Sequence, residues 1–163
     1  MDDDEGSDGP EASAFEEFFV RVEPRLRAAL TSLYGADMGR EATAEAMAWS
    51  FEHWDRMRSM EHPIAYLYRV GQTRTRRLRR RTKLTFAPEL VSAAPEVDPR
   101  LGGALAELPE RQRVAVMLVY GNDWSHGEVA ALMGITASTV ATHVARALEH
   151  LRRSLEVPAR DGA

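Results

Sequence analysis

Residues 105–151 contain the feature that most constrains the fold, a run of three helical patterns joined by short breaks. Ser125 and Glu128 have the spacing of a capping box that starts a helix. Gly134 suits a left-handed turn, and Thr136 can cap the helix after it. An apolar stripe then follows at helical spacing: Val140, Val144, Leu148 and Leu151. The pattern predicts a helix-turn-helix unit whose last helix fits a DNA major groove, with a generic three-helix bundle as the alternative.

The charge distribution also indicates a polyanionic partner. The formal net charge is −4, but residues 1–17 contain eight acidic residues and no basic one. The rest of the chain has 21 basic and 17 acidic residues, and eight of the basic residues fall within 69–83. Such clustering is typical of a nucleic-acid-binding surface, although a solvated basic helix face has the same composition.

Composition argues against several other classes of protein. The chain has no cysteine, which removes disulfides, thiolate metal sites and thiol redox chemistry. No apolar run approaches the roughly 18 residues of a membrane span, and the acidic N-terminus is unlike a signal peptide, so we expect a cytoplasmic protein. We find no Ser-His-Asp arrangement, no glycine-rich phosphate loop and no paired-histidine metal motif, and the deaminase-like run 126–128 lacks the required cysteines. We therefore expect a protein that is not an enzyme and needs no cofactor or metal.

Helical periodicity extends over most of the chain, and no segment alternates as a strand would. We predict an all-α protein of two small helical domains joined by a proline-containing linker. Four segments are expected: a disordered acidic tail (1–12), a first helical domain (13–83), the linker (84–100) and the helix-turn-helix domain (101–157).

Three helices are predicted within the first domain. One runs from residue 15 to 34, where Pro24 either kinks it or starts a new turn. The second covers residues 40–56, the third covers 64–81, and a loop over 56–63 joins them.

Two stretches of sequence resemble the same bacterial family. The runs 108–113 (LPERQR), 128–135 (EVAALMGI) and 138–152 (STVATHVARALEHLR) resemble region 4, the −35 binding region, of RNA polymerase sigma factors of the extracytoplasmic-function (ECF) group. Residues 13–83 resemble region 2, the −10 binding region, of that group. The resemblance lies in an aromatic helix end, a loop, a Pro-Ile-Ala-Tyr-Leu-Tyr-Arg helix and trailing arginines.

The resemblance implies that the last helix contacts the −35 element through one face. Arg146 on that face either binds a guanine edge, worth about 1–3 kcal/mol of discrimination, or grips phosphate. His143 either replaces an arginine common in the family or is a surface residue without a role. The implied contacts are Ser138, Thr139, Ala141, Thr142, His143, Ala145 and Arg146.

The resemblance further implies a −10 surface on the first domain, where an extruded base would regain roughly 1–3 kcal/mol by stacking on an aromatic ring. Core packing is the alternative role for Trp49 and Trp54. The arginines at the end of the third helix are expected to contact phosphate. The implied −10 and phosphate contacts are Arg56, Arg58, Met60, His62, Tyr66, Thr73, Arg74, Arg76, Arg77 and Arg80.

Core RNA polymerase is the first partner that the resemblance implies, with docking assigned to Glu41, Glu45, Trp49 and Glu52. The acidic run that the family uses for docking has fewer carboxylates here and no glutamine. The tryptophan usual in the third helix is replaced by Tyr66. Promoter duplex and the melted −10 strand are the other implied partners, and an anti-sigma factor is left open. The predicted function is promoter recognition, melting and transcription initiation, with a helix-turn-helix regulator that acts without core polymerase as the alternative.

Overall fold

The computed structural model describes residues 9–82 and 98–156, and for residues 78–82 and 156 it describes the backbone alone. Within these ranges the chain forms α-helices and one π-helical segment, without a strand, which confirms the all-α prediction. The first domain contains α1 (Pro10–Tyr34), α2 (Ala36–Glu52), α3 (Trp54–Met57) and α4 (Pro63–Thr82). The second contains α5 (Leu101–Glu107), α6 (Glu110–Val116), the π segment (Met117–Gly121), α7 (His126–Met133) and α8 (Ala137–Glu156).

Helix α1 is one continuous helix, which settles the question of Pro24. Pro24 cannot donate to the carbonyl of Val20, but both residues are exposed, so water can satisfy that carbonyl. The helix starts at Pro10, within the predicted tail, because proline fits the first helical position. The predicted disorder over 1–12 is therefore wrong for residues 10–12, and residues 1–8 lie outside the described ranges.

Helices α1 and α2 cross closely at Gly39. A Cβ atom at this position would lie 2.5 Å from the Cα atom of Thr31, so the crossing requires glycine. Helix α2 starts at Ala36 and ends at Glu52, not at the predicted 40 and 56. The short α3 follows directly and buries Met57, so the expected loop over 56–63 begins only after Met57.

The helix-turn-helix unit forms as the sequence predicts. The Ser125 hydroxyl accepts from the N–H of Glu128, and the Glu128 carboxylate accepts from the N–H of Ser125, which completes the capping box. Gly134 adopts φ 66° and ends α7 in the left-handed conformation. Thr136 caps α8 by accepting from the N–H of Thr139. On the predicted stripe Val140, Val144 and Leu151 are buried, and Leu148 is half-buried.

The two domains pack against each other. Helix α7 lies on α4, and the π segment contacts α1. Tyr68 of the first domain and Trp124 of the second are both almost fully buried, with their rings edge-to-face at 5.8 Å between centroids. Among the described helices, none alone is both long and apolar enough to cross a membrane, and α7 and α8 meet both conditions only when they are counted together across a bend of 101°.

Candidate nucleic-acid interface

The first half of α8 presents a polar face to solvent. The apolar stripe fixes the rotation of the helix, and the residues between its members therefore point outward. The Thr142 hydroxyl donates to the carbonyl of Ser138 at 3.1 Å. Six of the seven predicted −35 contacts are exposed: Ser138, Thr139, Ala141, Thr142, Ala145 and Arg146. The seventh, His143, is half-buried, and its Nδ1 atom has no hydrogen-bond partner within the described chain.

An aromatic cluster occupies the junction of α2, α3 and α4 and consists of Trp49, His53, Arg56 and Tyr66. The imidazole of His53 stacks on the indole of Trp49 at 4.1 Å with an interplanar angle of 8°. Its Nδ1 atom lies 2.9 Å from the Trp49 carbonyl, which fixes the ring. Tyr66 lies 5.1 Å from Trp49, and the Arg56 guanidinium covers Tyr66 at 5.2 Å and Trp49 at 6.0 Å.

The cluster therefore joins residues that the sequence assigned to different tasks. Trp49 was assigned to polymerase docking, whereas Arg56 and Tyr66 were assigned to the −10 element. His53 was missed, although its i, i+4 spacing from Trp49 is the spacing at which helical side chains meet. Trp54 lies on the other side of α3 and packs edge-to-face on Phe15 at 5.3 Å, which agrees with the core-packing alternative for that residue.

The remaining loop residues are held by other contacts. Arg58 pairs with Asp55 at 2.9 Å and with Glu11 at 3.4 Å. Met60 is half-buried. His62 faces the second domain, because a Cβ atom at Gly127 would lie 3.6 Å from its Cε1 atom. The loop thus touches α7 as well as its own domain.

The basic helix α4 divides its arginines between internal pairs and solvent. Arg74 pairs with Glu41 at 2.7 Å and with Glu45 at 3.2 Å, so two predicted docking carboxylates neutralise a predicted phosphate ligand. These contacts raise the pKa of Arg74 above its ordinary value. The Thr73 hydroxyl donates back to the Arg69 carbonyl at 3.0 Å. Arg76 and Arg77 are exposed, and the side chain of Arg80 lies outside the described residues.

A second face of the first domain exposes large apolar side chains. Phe51 of α2 is 67% exposed, and Phe19 of α1 is 41% exposed. They flank an open groove between the two helices that is lined by Met47 and Ala48 among others. Glu52 lies next to Phe51 and is exposed. Glu52 is thus the predicted docking residue that lies beside an apolar patch.

Known proteins match the chain in sequence and in fold. The family model described as Sigma-70, region 4, matches residues 100–151, which run from just before α5 into the last turns of α8. A curated relative, the ECF RNA polymerase sigma factor RpoE of Cereibacter sphaeroides, is 27% identical across 91% of this chain and 90% of its own length.

Two solved structures share the fold at 22% identity. The sigma factor RpoE, in its complex with the anti-sigma factor NepR from Bartonella quintana, matches with a TM-score of 0.68 over 89% of this chain and 98% of that chain. CnrH, in its complex with the cytosolic domain of CnrY, matches with a TM-score of 0.57 over 90% of each chain. The match to region 4 over residues 100–151 and the curated relative support a sigma factor of the ECF group, and the two solved structures show that the fold is shared.

Proposed function

We propose that this sigma factor reads a promoter with two separate surfaces, the outer face of α8 at the −35 element and the aromatic cluster at the melted −10 strand. The observation that carries the proposal is the order on α8, where an apolar stripe turns six predicted contacts toward solvent. A helix presented in this way enters the major groove with its N-terminal half. Arg146 lies on this face and has the donor geometry to pair with guanine.

The aromatic cluster offers what duplex opening requires. Extruding a base costs a few kcal/mol, and stacking on an aromatic side chain returns about 1–3 kcal/mol. Tyr66 and Trp49 supply ring faces, and Arg56 places a positive charge over both rings. A base that displaced the Arg56 guanidinium would stack on Tyr66, while the released guanidinium could pair with the backbone phosphate. The ring faces of the cluster and the positive charge of Arg56 together favour binding of single-stranded DNA.

We assign phosphate contacts to the arginines of α4 that form no ion pair with a carboxylate among the described residues. Arg76 and Arg77 are exposed on α4, whereas Arg74 is bound to Glu41 and Glu45. We therefore assign phosphate binding to Arg76 and Arg77 and leave Arg74 as a link between α2 and α4. Arg80 stays a prediction from the sequence.

Polymerase docking is proposed for the exposed face of α2 around Phe51 and Glu52. Interfaces are enriched in aromatic side chains, and an exposed phenylalanine beside a groove is a suitable anchor. Three other predicted docking residues already contact side chains of the first domain, so we place them at the margin of this surface: Glu41, Glu45 and Trp49. An anti-sigma factor is a further proposed partner, because the RpoE that shares the fold was solved with the anti-sigma factor NepR.

Transcription with purified bacterial core polymerase tests the function. The template is a library in which both promoter elements are randomised, and the transcripts are sequenced. We expect enrichment of one −35 and one −10 sequence in the presence of the protein. Phe51→Ala should reduce transcription at limiting protein, whereas Tyr120→Ala, an exposed aromatic of the second domain, should not. Tight sequence-specific binding by the chain alone, without any transcription, would favour the regulator that acts without polymerase.

A further inference from the structure

His53 is the member of the aromatic cluster to which the proposed function gives no task. It lies where α2 ends and α3 begins, and its backbone carbonyl accepts from the N–H groups of Arg56 and Met57, both at 3.0 Å. Its side chain is exposed, and its Nε2 atom has no hydrogen-bond partner among the described residues. The backbone of His53 is therefore fixed, while one of its ring nitrogens is available to a ligand.

Two contacts with Trp49 fix the orientation of the His53 ring. The imidazole lies parallel to the indole at 4.1 Å, and its Nδ1 atom lies 2.9 Å from the Trp49 carbonyl oxygen. A carbonyl can only accept, so Nδ1 carries the proton and donates. In the neutral imidazole the lone pair is then on Nε2. The fixed ring thus presents a single hydrogen-bond acceptor to solvent.

This acceptor lies beside the rings that are proposed to hold an extruded base. The imidazole of His53 lies 4.1 Å from the Trp49 indole, and the ring of Tyr66 lies 5.1 Å from the same indole. Because both rings adjoin one indole, a base that stacks on Tyr66 has an edge within reach of His53. Proteins that bind extruded bases combine stacking on the faces of the base with hydrogen bonds to its Watson–Crick edge.

A lone acceptor at this place separates the four bases into two classes. Adenine and cytosine carry an exocyclic amine, which donates, whereas guanine and thymine carry a carbonyl oxygen at the equivalent position, which accepts. The Nε2 lone pair can bind the amine, but it faces another lone pair when the base carries the oxygen. The chemistry of the site therefore favours an amino base over a keto base.

We propose that His53 is a specificity-determining residue of the −10 site. Its Nε2 atom accepts from the exocyclic amine of one extruded base and so favours adenine or cytosine over guanine or thymine at that position. The inference rests on the proposed function and names the class of base that the aromatic cluster takes. The alternative is a structural role, in which the imidazole only closes the end of α2 through its contacts with Trp49.

Transcription by the holoenzyme from the randomised library tests the proposal with two substitutions. His53→Phe keeps a ring that can stack on Trp49 but has no acceptor, and His53→Arg keeps a planar group that stacks on an indole but only donates. His126→Arg is the matched control, because it adds the same charge at an exposed histidine of the second domain. The quantity compared is the ratio of amino to keto bases at each −10 position, so changes in overall activity cancel.

We expect wild type to favour amino bases at one −10 position by about two- to tenfold, the range for one neutral hydrogen bond. At that position the ratio should fall to about one in His53→Phe and should favour keto bases in His53→Arg, whereas His126→Arg should match wild type. A wild-type preference that survives in both His53 variants would overturn the role of His53 and leave the proposed function standing. Absence of promoter-directed transcription by wild type would instead overturn the proposed function, and the inference with it.

A base analogue tests the same contact in the wild-type protein and so does not depend on how a variant folds. The template carries a pre-melted −10 segment, so that pairing strength plays no part, and the amine is removed by placing purine for adenine or 2-pyrimidinone for cytosine. Wild-type holoenzyme should bind the analogue about two- to tenfold more weakly than the natural base, and His53→Phe should bind the two alike. An equal loss in both proteins would assign the amine to another residue, and no loss in wild type would show that the amine is not read; either result overturns the proposal.

Discussion

The two regions proposed to face DNA are organised differently. On α8 six of the seven predicted contacts are exposed to solvent, and an apolar stripe on the other side of the helix fixes the direction in which they point. On the first domain most predicted contacts are occupied by partners from the same chain, among them Arg56 with Tyr66, Arg58 with Asp55 and Glu11, and Arg74 with Glu41 and Glu45. Under the proposed function, the surface on α8 can bind a preformed duplex as it stands, whereas the surface on the first domain must exchange internal contacts for DNA.

That difference fits the substrates. The major groove exists before the protein arrives, so a rigid face suits it. A melted strand exists only after base pairs open. Under the proposed function, Arg56 leaves the cluster as a base enters it, so base binding is coupled to base-pair opening. Internal partners also keep the cluster's charge and ring faces satisfied until then.

The largest expected effect concerns the buried contact between the two domains. Trp124→Ala removes a buried indole that packs on Tyr68, and large aromatic-to-alanine changes in a core cost about 3–5 kcal/mol. Urea denaturation followed by circular dichroism measures the loss in the free energy of unfolding. Tyr120→Ala, at an exposed aromatic nearby, should stay within about 0.5 kcal/mol of wild type. Similar values for the two variants would mean that the domains do not share a core.

The next effect separates the two surfaces by sequence preference. Arg146→Ala should cost about 1–3 kcal/mol at one or two −35 positions and little elsewhere, because a bidentate contact to guanine is lost. Arg77→Ala should weaken binding to all promoters alike and lower the salt slope by about 0.7–0.9. Holoenzyme binding to −35 variants at two salt concentrations distinguishes them. A uniform loss for Arg146→Ala together with altered preference for Arg77→Ala would reverse the assignment.

The same contrast explains which parts of the structure the sequence predicts. The α8 region is specified by local signals: a capping box, a left-handed glycine and an apolar stripe lie within some thirty residues of one another. Each was predicted and is confirmed. Helix boundaries in the first domain were less accurate because α3 is a single turn and because the close crossing at Gly39 depends on Thr31 of another helix.

The contacts of Arg25 and Arg69 with α7, and the aromatic cluster, lay beyond sequence reasoning. Arg25 and Glu128 are separated by 103 positions, and Arg69 bonds to backbone carbonyls, which carry no side-chain signature. The π segment was also missed, because its five residues are too few to show a periodicity of their own. Family resemblance placed the predicted −10 surface on the first domain, but it could not indicate which of its arginines are neutralised.

A smaller effect tests whether the local signals of the second domain act independently of the first. Ser125→Ala removes the hydroxyl that accepts from the N–H of Glu128 at 3.1 Å and should cost about 1 kcal/mol. Ser125→Asp keeps an acceptor at the cap and should restore most of the loss. Thermal or urea unfolding measures both. A cost well above about 2 kcal/mol for Ser125→Ala would indicate that the cap also supports the contact between Glu128 and Arg25.

The smallest effect is the pH dependence of the contact between Arg25 of α1 and Glu128 of α7, in which the guanidinium donates to the carboxylate at 2.8 Å. Burial alone would raise the pKa of Glu128, but hydrogen bonds from Arg25 and from the Ser125 N–H outweigh it and lower the pKa from its ordinary value of 4.5. A group whose pKa is lowered on folding stabilises the folded state above its unfolded pKa, and this contribution is lost as the pH falls through the folded value.

Wild type should therefore be more stable than Glu128→Gln at neutral pH, and the difference should shrink as the pH is lowered below 4.5. Glutamine is a suitable replacement because it can still complete the capping box while losing the charge that binds Arg25. Subtracting the two stability curves removes the contributions of groups that both proteins share. The measurement is urea denaturation between neutral pH and pH about 3.5. A difference that stays constant with pH would show that Arg25 and Glu128 do not interact as charges, and the hold on the N-terminal end of α7 would then rest on Asn122 and on the packing of Trp124 against Tyr68.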